Sequence, residues 1–404
     1  MDKLDKIFES FTNGSLFKNK AVLQSNYTPS TIPHRDDQIE AVATILAPIL
    51  RGDKVSNLFI YGKTGSGKTL TVQHVGNKIV EKNKSLDLDS LKFVYINCKM
   101  KKISDTEYRI LAELIHELGG SVPATGLPTD QVYRKFIELI DNKKQIILIV
   151  LDEIDQAVKK ISDNFIYTLT RLNSELKNSQ INLIGISNSI TFMDNLDPRV
   201  RSSLGEEELV FSPYNALQLQ DILKERAEKA FNEGVLEEGV IAKCAAFAAR
   251  EHGDARRALD LLRVAGDLAE RERSKKVLLK HIDAANNKIE RDKMLDIIES
   301  EPKQFQLVLL AIMALEGQRE EKRLESIFTG DVYNAYQEIC EKTKNEVLTQ
   351  RRISDILAEF DMLGIINARV ISKGRQGRTR EIRLMLAPNI KIKAKEILQK
   401  SLDL

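Results

Sequence analysis

The chain has 404 residues, 42% of them apolar and 30% charged, which is material for roughly two to four folded domains and excludes a disordered chain. Its 61 basic and 59 acidic side chains leave a net charge of +2, so the total charge points to no polyanionic partner. Residues 367–400 nevertheless hold ten basic groups against two acidic ones, a local +8, and the remainder sums to −6. The longest apolar run, Leu307 to Leu315, is nine residues, too short to cross a bilayer, so no membrane partner is expected. The first residues carry no apolar export signal, and the three cysteines and five histidines do not cluster. A cytoplasmic protein without a disulfide framework or cysteine-based zinc module is expected.

Along the chain, the first half alternates short apolar runs with amphipathic helical stretches, the pattern of a parallel sheet flanked by helices. Strands are expected at 58–61, 92–97, 146–151 and 182–187, and their continuous apolar character requires both faces to be covered. After Pro213 the strands stop. Residues 215–290 read as helices rich in Ala, Leu, Glu and Arg, broken at Gly234, Gly239 and Gly253. Glu301-Pro302 marks a second boundary, because proline is disfavoured inside a helix. Helical patterns at 304–316, 331–345 and 350–363 then lead into alternating segments at 365–371 and 381–386, separated by a Gly-rich basic turn at 372–380. That turn reads as a hairpin, and three helices followed by a hairpin outline a winged helix. Three domains are expected, at 1–212, 213–300 and 301–404.

Gly62, Lys63, Thr64, Gly65, Ser66, Gly67, Lys68 and Thr69 match the P-loop spacing, with a strand ending at Tyr61 and a helical pattern starting at Lys68. Glycines let successive N–H groups turn towards phosphates, the helix adds its positive end, Lys68 supplies a cation, and the Thr69 hydroxyl suits Mg²⁺. These residues, with Leu70, are the expected nucleotide contacts. The run 146–151 ends in Asp152-Glu153, the Walker B arrangement: Asp152 would hold Mg²⁺ through water, and Glu153 would polarise an attacking water. Asp155 reads as a helix N-terminal residue. Asn188 ends the fourth strand, where its amide could orient that water. Arg199 and Arg201 read either as surface charges or as an arginine finger for a neighbouring subunit. Gly253-Asp254 opens a helix with Arg256 and Arg257 in its first turn. Two cations at the positive end of a helix call for a compensating anion, and bound phosphate is the obvious candidate.

Taken together, these motifs resemble the AAA+ initiators of archaea, relatives of the eukaryotic origin recognition complex and of the cell-division-cycle helicase loader. The resemblance covers essentially the whole chain. It includes Ile32-Pro33-His34-Arg35, Asp197 to Gly205, and Phe211-Ser212-Pro213-Tyr214 with Leu219 to Arg226. It implies an α/β AAA+ P-loop core, an α-helical lid and a C-terminal winged helix. It makes Arg256 the sensor-2 arginine and Asn188 the sensor-1 residue. Arg35 and Tyr214 would flank the adenine of ATP or ADP, and Arg226 joins the expected nucleotide contacts. Residues 104–130 hold the position of an extra helix that touches duplex DNA in the family; no specific contact is carried over, since Arg109 faces Asp105, Glu107, Glu113 and Glu117. Ser203 departs from the arginine of many eukaryotic relatives, which weakens the finger reading.

In a winged helix the third helix enters the major groove and the hairpin follows the backbone. Gln350, Arg351 and Arg352 stand at the start of that helix, with side chains suited to adenine and guanine edges. Lys373, Arg375, Arg378 and Arg380 stand on the expected wing. The resemblance implies a nucleoid-associated initiator that recognises origin DNA and recruits or loads the minichromosome maintenance helicase, beside paralogous initiators, with slow ATP hydrolysis as a switch. A promoter-binding transcription regulator of the same architecture and a clamp-loader-like remodelling ATPase are the alternatives. If helix and wing neutralise about four phosphates, log affinity against log salt should have a slope of about −3.6; a salt titration with a slope near zero would refute the interface.

Overall fold

The computed structural model describes residues 15–86, 90–99, 106–123, 125–204, 206–322, 326–372 and 378–402. Two compact units emerge, Met1–Ile282 and Asp283–Leu404. Their division falls inside the helix Leu279–Ser300, while Pro302 lies between that helix and the next, Lys303–Lys322.

In the first unit, β1 (Leu58–Gly62), β2 (Leu91–Asn97), β3 (Gln145–Asp152), β4 (Ser179–Ser187) and β5 (Glu207–Phe211) form a sheet in the order β2-β3-β4-β1-β5. Every pairing is parallel. All of β3 is buried, and its side chains alternate between two cores. Ile147, Ile149 and Leu151 pack with Phe59, Ile110, Leu114 and Phe136, whereas Ile146, Leu148 and Val150 pack with Leu58, Ile60, Val72 and Val75. This two-sided burial is why the strand reads as an unbroken apolar run. The edge strand β5 was not among the expected strands. It begins Glu207-Glu208 and leaves Val210 half exposed, so it lacks the continuous apolar signature of a central strand.

The helices Ala216–Ala230, Val240–Arg250 and Ala255–Arg271 form the lid. A capping box of Asn215 and Gln218 starts the first of them. The segment 15–33 fastens to this lid. Phe17 bridges Phe231 in an antiparallel pair, their rings stack at 4.6 Å, and Lys18 N–H donates to the Ala230 carbonyl at 2.8 Å.

The second unit contains Lys303–Lys322, Thr329–Thr343 and Gln350–Met362, followed by β7 (Ile366–Ser372) and β8 (Arg378–Leu384). A short β6 (Ile327–Phe328), not anticipated from the sequence, completes an antiparallel sheet in the order β6-β8-β7. β8 starts three residues before the expected segment, which moves Arg378 and Arg380 into the strand. The basic tail is a helix, Pro388–Ser401, whose Ala394 and Leu398 enter the core beside Leu307, Tyr336, Ile353 and Phe360. Its lysines concealed the apolar spacing of 390, 394 and 398. Phe360 is fully buried and meets Phe305 edge-on at 5.9 Å. Phe360→Ala should cost the second unit about 3–5 kcal/mol, seen as faster amide exchange within 283–402; unchanged protection there would contradict this packing.

Candidate functional site

The carboxyl ends of β1, β3 and β4 converge with the P-loop on a cavity of ≈ 280 Å³, the position where parallel α/β sheets take ligands. Thr64, Gly65, Gly67, Lys68, Thr69 and Leu70 line it, and so do Asp152, Glu153 and Asn188. The lid contributes Arg226 and Arg256, and Tyr214 lies at the base. Gly62, Lys63 and Ser66 do not line it: Gly62 and Ser66 are buried and Lys63 is exposed. At Gly65, φ is +72° and a Cβ would run into the Asp254 carboxylate, so no larger residue fits there.

Lys68 begins the helix Lys68–Ser85, and its ammonium is largely buried. Nζ donates to the Gly62 and Lys63 carbonyls at 2.8 and 2.9 Å and to Asn188 Oδ1 at 2.9 Å. Burial pushes its pKa down to about 8, and Arg256 adds to the lowering, against an opposing pull from Asp152. The site therefore holds a poorly compensated cation, which an anionic ligand would relieve.

Thr69 Oγ1 donates to Asp152 Oδ2 at 2.7 Å, Tyr95 Oη donates to the same oxygen at 2.7 Å, and Glu153 N–H donates to Oδ1 at 2.9 Å. Burial first, and then the facing carboxylate, push the Tyr95 pKa upward, so the phenol remains a donor. A hydroxyl and a carboxylate in contact make a set of hard oxygens that suits a small divalent cation retaining several waters. Glu153 has a positive φ of 53° and pairs with Lys99 at 3.7 Å. Such a conformation is costly for a non-glycine residue, and it turns the carboxylate at the junction between β3 and the next helix. Asp155 is buried and accepts from Ser187 Oγ at 3.0 Å, so it braces β4.

Arg35 occupies a different place from the one expected. It does not line the cavity: its buried guanidinium donates to Ser66 O at 2.8 Å and Ser212 O at 2.6 Å, and it stacks on Tyr214 at 3.9 Å. Of the arginine pair in the lid, only Arg256 reaches the cavity. Arg257 makes a two-pronged pair with Glu251 at 3.1 and 3.4 Å, so a carboxylate of the protein, and not a ligand, compensates its charge. Asp254 caps this helix, accepting from Arg256 N–H at 2.8 Å. Arg226 is buried over the Tyr27 ring at 4.6 Å. Arg199 and Arg201 are exposed, away from this cavity, and paired with Asp197 and Asp194 at 3.0 and 3.4 Å.

Ile32 and Pro33, part of the stretch before the first strand that carries the resemblance, line the cavity, but sequence reasoning missed the segment 24–31, which walls it through Gln24, Tyr27 and Pro29, as well as Tyr95 and Asn97 on β2. Tyr95 and Asn97 alternate with buried Val94 and Ile96 at the carboxyl end of an interior strand. Polar residues at that end were the available signal.

In the second unit Thr349 Oγ1 caps the third helix, and Gln350, Arg351 and Arg352 stand exposed in its first turn. Arg352 pairs with Asp355 at 3.9 Å. Arg380 is half-buried, and its guanidinium donates to the Ser354 carbonyl at 2.6 Å, so it ties β8 to the third helix. Lys373 and Arg375 lie outside the described residues, as does the Arg378 side chain.

Residues 53–192 match the family model of an AAA domain, 220–287 that of the Cdc6 AAA+ ATPase-type lid domain, and 296–394 that of the CDC6 C-terminal winged helix domain. An ORC1-type DNA replication protein of Pyrococcus abyssi is 53% identical over 390 residues, 95% of this chain and 91% of the relative. ORC1-type DNA replication protein 1 of Methanosarcina mazei is 50% identical over 384 residues, covering 94% and 91%. The structure of the Aeropyrum pernix ORC1 protein in complex with DNA superposes with a TM-score of 0.82 at 43% identity, covering 96% of this chain and 98% of that one. With relatives this similar over nearly its whole length, the chain belongs to the family of ORC1-type DNA replication proteins.

Proposed function

We propose that the chain is an ATP-dependent, DNA-binding replication initiator that recognises origin DNA and helps to recruit or load the replicative minichromosome maintenance helicase. One observation carries the nucleotide part of this reading: the P-loop, the end of β3, Asn188 and the lid residue Arg256 face a single cavity. A terminal phosphate there would meet Lys68 and Asn188 from the core and Arg256 from the lid. Thr69 and Asp152 would hold Mg²⁺, which would supply positive charge against the phosphates. Glu153 and Asn188 are placed to act on an attacking water, and loss of the terminal phosphate would release the lid contact. Slow hydrolysis then serves as a switch between an ATP and an ADP state. Exposed Gln350, Arg351 and Arg352 suit base edges in a major groove, and the Aeropyrum pernix relative, solved in complex with DNA, supports DNA binding by this chain.

Chromatin occupancy of the wild type and of Lys68→Ala tests the reading. Binding at origins that falls or redistributes in the variant is expected, and binding confined to promoters would overturn it in favour of a transcription regulator. The Lys68 ammonium offers a separate check. Its pKa is lowered to about 8 in the free protein, and neighbouring phosphate oxygens would raise it. Above about pH 8, ADP binding should therefore take up a proton and weaken by up to about tenfold per pH unit, with no contribution from this group on the acid side. Calorimetric titrations of ADP in two buffers of different ionisation enthalpy should give different heats at about pH 8.5; identical heats would contradict the assignment.

A further inference from the structure

Tyr95 stands apart from the residues that the sequence motifs single out, yet it reaches the centre of the site. It lies on β2 opposite Val150, two residues before Asn97, which pairs with Asp152. Its hydroxyl donates to Asp152 Oδ2 at 2.7 Å. Thr69 Oγ1 takes the second position on that oxygen, also at 2.7 Å, and Glu153 N–H takes one on Oδ1 at 2.9 Å. A carboxylate offers about four lone-pair sites. Three donors arriving from β2, the P-loop helix and the β3 turn fill three of them and fix the rotation of the group. The remaining lone pair, on Oδ1, has one direction in which to accept a hydrogen bond. Asp152 is itself 4% exposed, so bulk water does not replace a lost donor at no cost.

We infer that Tyr95 is a positioning residue for the divalent cation of this site, acting through Asp152 by locking the carboxylate in the orientation that receives a cation-bound water. The inference rests on the nucleotide reading given above. Hydrogen bonds outside the inner coordination sphere tune cation affinity by fixing the groups that hold the cation and its waters, while the phosphate contacts of the loop and Lys68 do not depend on Tyr95.

The test uses the full chain and ADP as the probe, titrated in excess chelator and then across Mg²⁺ concentrations. Tyr95→Phe keeps the ring and removes the hydroxyl. Its loss of ADP affinity should be larger with Mg²⁺ than in chelator, and the Mg²⁺ concentration at half-maximal tightening should rise by about tenfold or more. In an Asp152→Asn background the same change should add little, because both substitutions act through one carboxylate. An unchanged Mg²⁺ midpoint would overturn the inference, as would equal weakening with and without Mg²⁺ or full additivity with Asp152→Asn. A wild type that binds no ADP would remove the nucleotide reading itself, and this inference with it.

Discussion

A loop that aims its backbone N–H groups at an anion must turn its carbonyls the other way, and each buried carbonyl then needs a donor. Much of the first unit answers that demand. Lys68 Nζ takes the Gly62 and Lys63 carbonyls, Arg35 Nε takes Ser66, Thr71 N–H takes Gly67, and Ala255 N–H of the lid meets Gly65 at 3.3 Å. The residues that shape the loop therefore come from its own helix, from the approach to the sheet and from the lid. Arg35 extends the set, since it also reaches Ser212 after β5 and the face of Tyr214. A guanidinium suits this task because it presents a fork of donors while its flat face packs on an aromatic ring.

The same arrangement links the loop to the lid. Asp254 caps the helix that carries Arg256 and abuts Gly65, so a shift of the loop is felt at the start of that helix. The segment 15–33 moves the boundary of the lid outward. It is bonded to the lid through Phe17 and Phe231 and through Thr31 and Glu225 at 2.9 Å, and the residue after it, His34, meets Asp221 at 3.1 Å. The far wall of the cavity is therefore attached to the lid, and on the proposed reading both would respond to the same bound phosphates.

In the second unit, folding divides the basic stretch near the carboxyl end among different tasks. Arg380 is used internally on the Ser354 carbonyl, Lys391 approaches Glu316 at 3.9 Å, and the helix Pro388–Ser401 closes the core on its apolar side. Charge counted along the chain thus overstates what a single partner surface can present. Arg351 and Arg352, which lie outside that stretch, are the cations exposed at the start of the third helix.

The sequence by itself determined the elements whose chemistry is local. The P-loop needs its glycines within one turn, a doubly covered strand must be apolar throughout, and Asp254 must precede the helix it caps. Those requirements are written in neighbouring residues, and β1 to β4, the loop, Asp152 and Asn188 were readable from them. Only the tertiary structure decided which distant donor meets each group. Nothing near Arg35 in the chain foretells that it bonds Ser66 and Ser212, nothing near Arg257 singles out Glu251 over a ligand, and Tyr95 meets Asp152 through strand pairing 57 residues apart. Hydrogen bonds and ion pairs act over a few ångströms in space, whereas residue spacing reports only the contacts that a single helix, strand or turn can make.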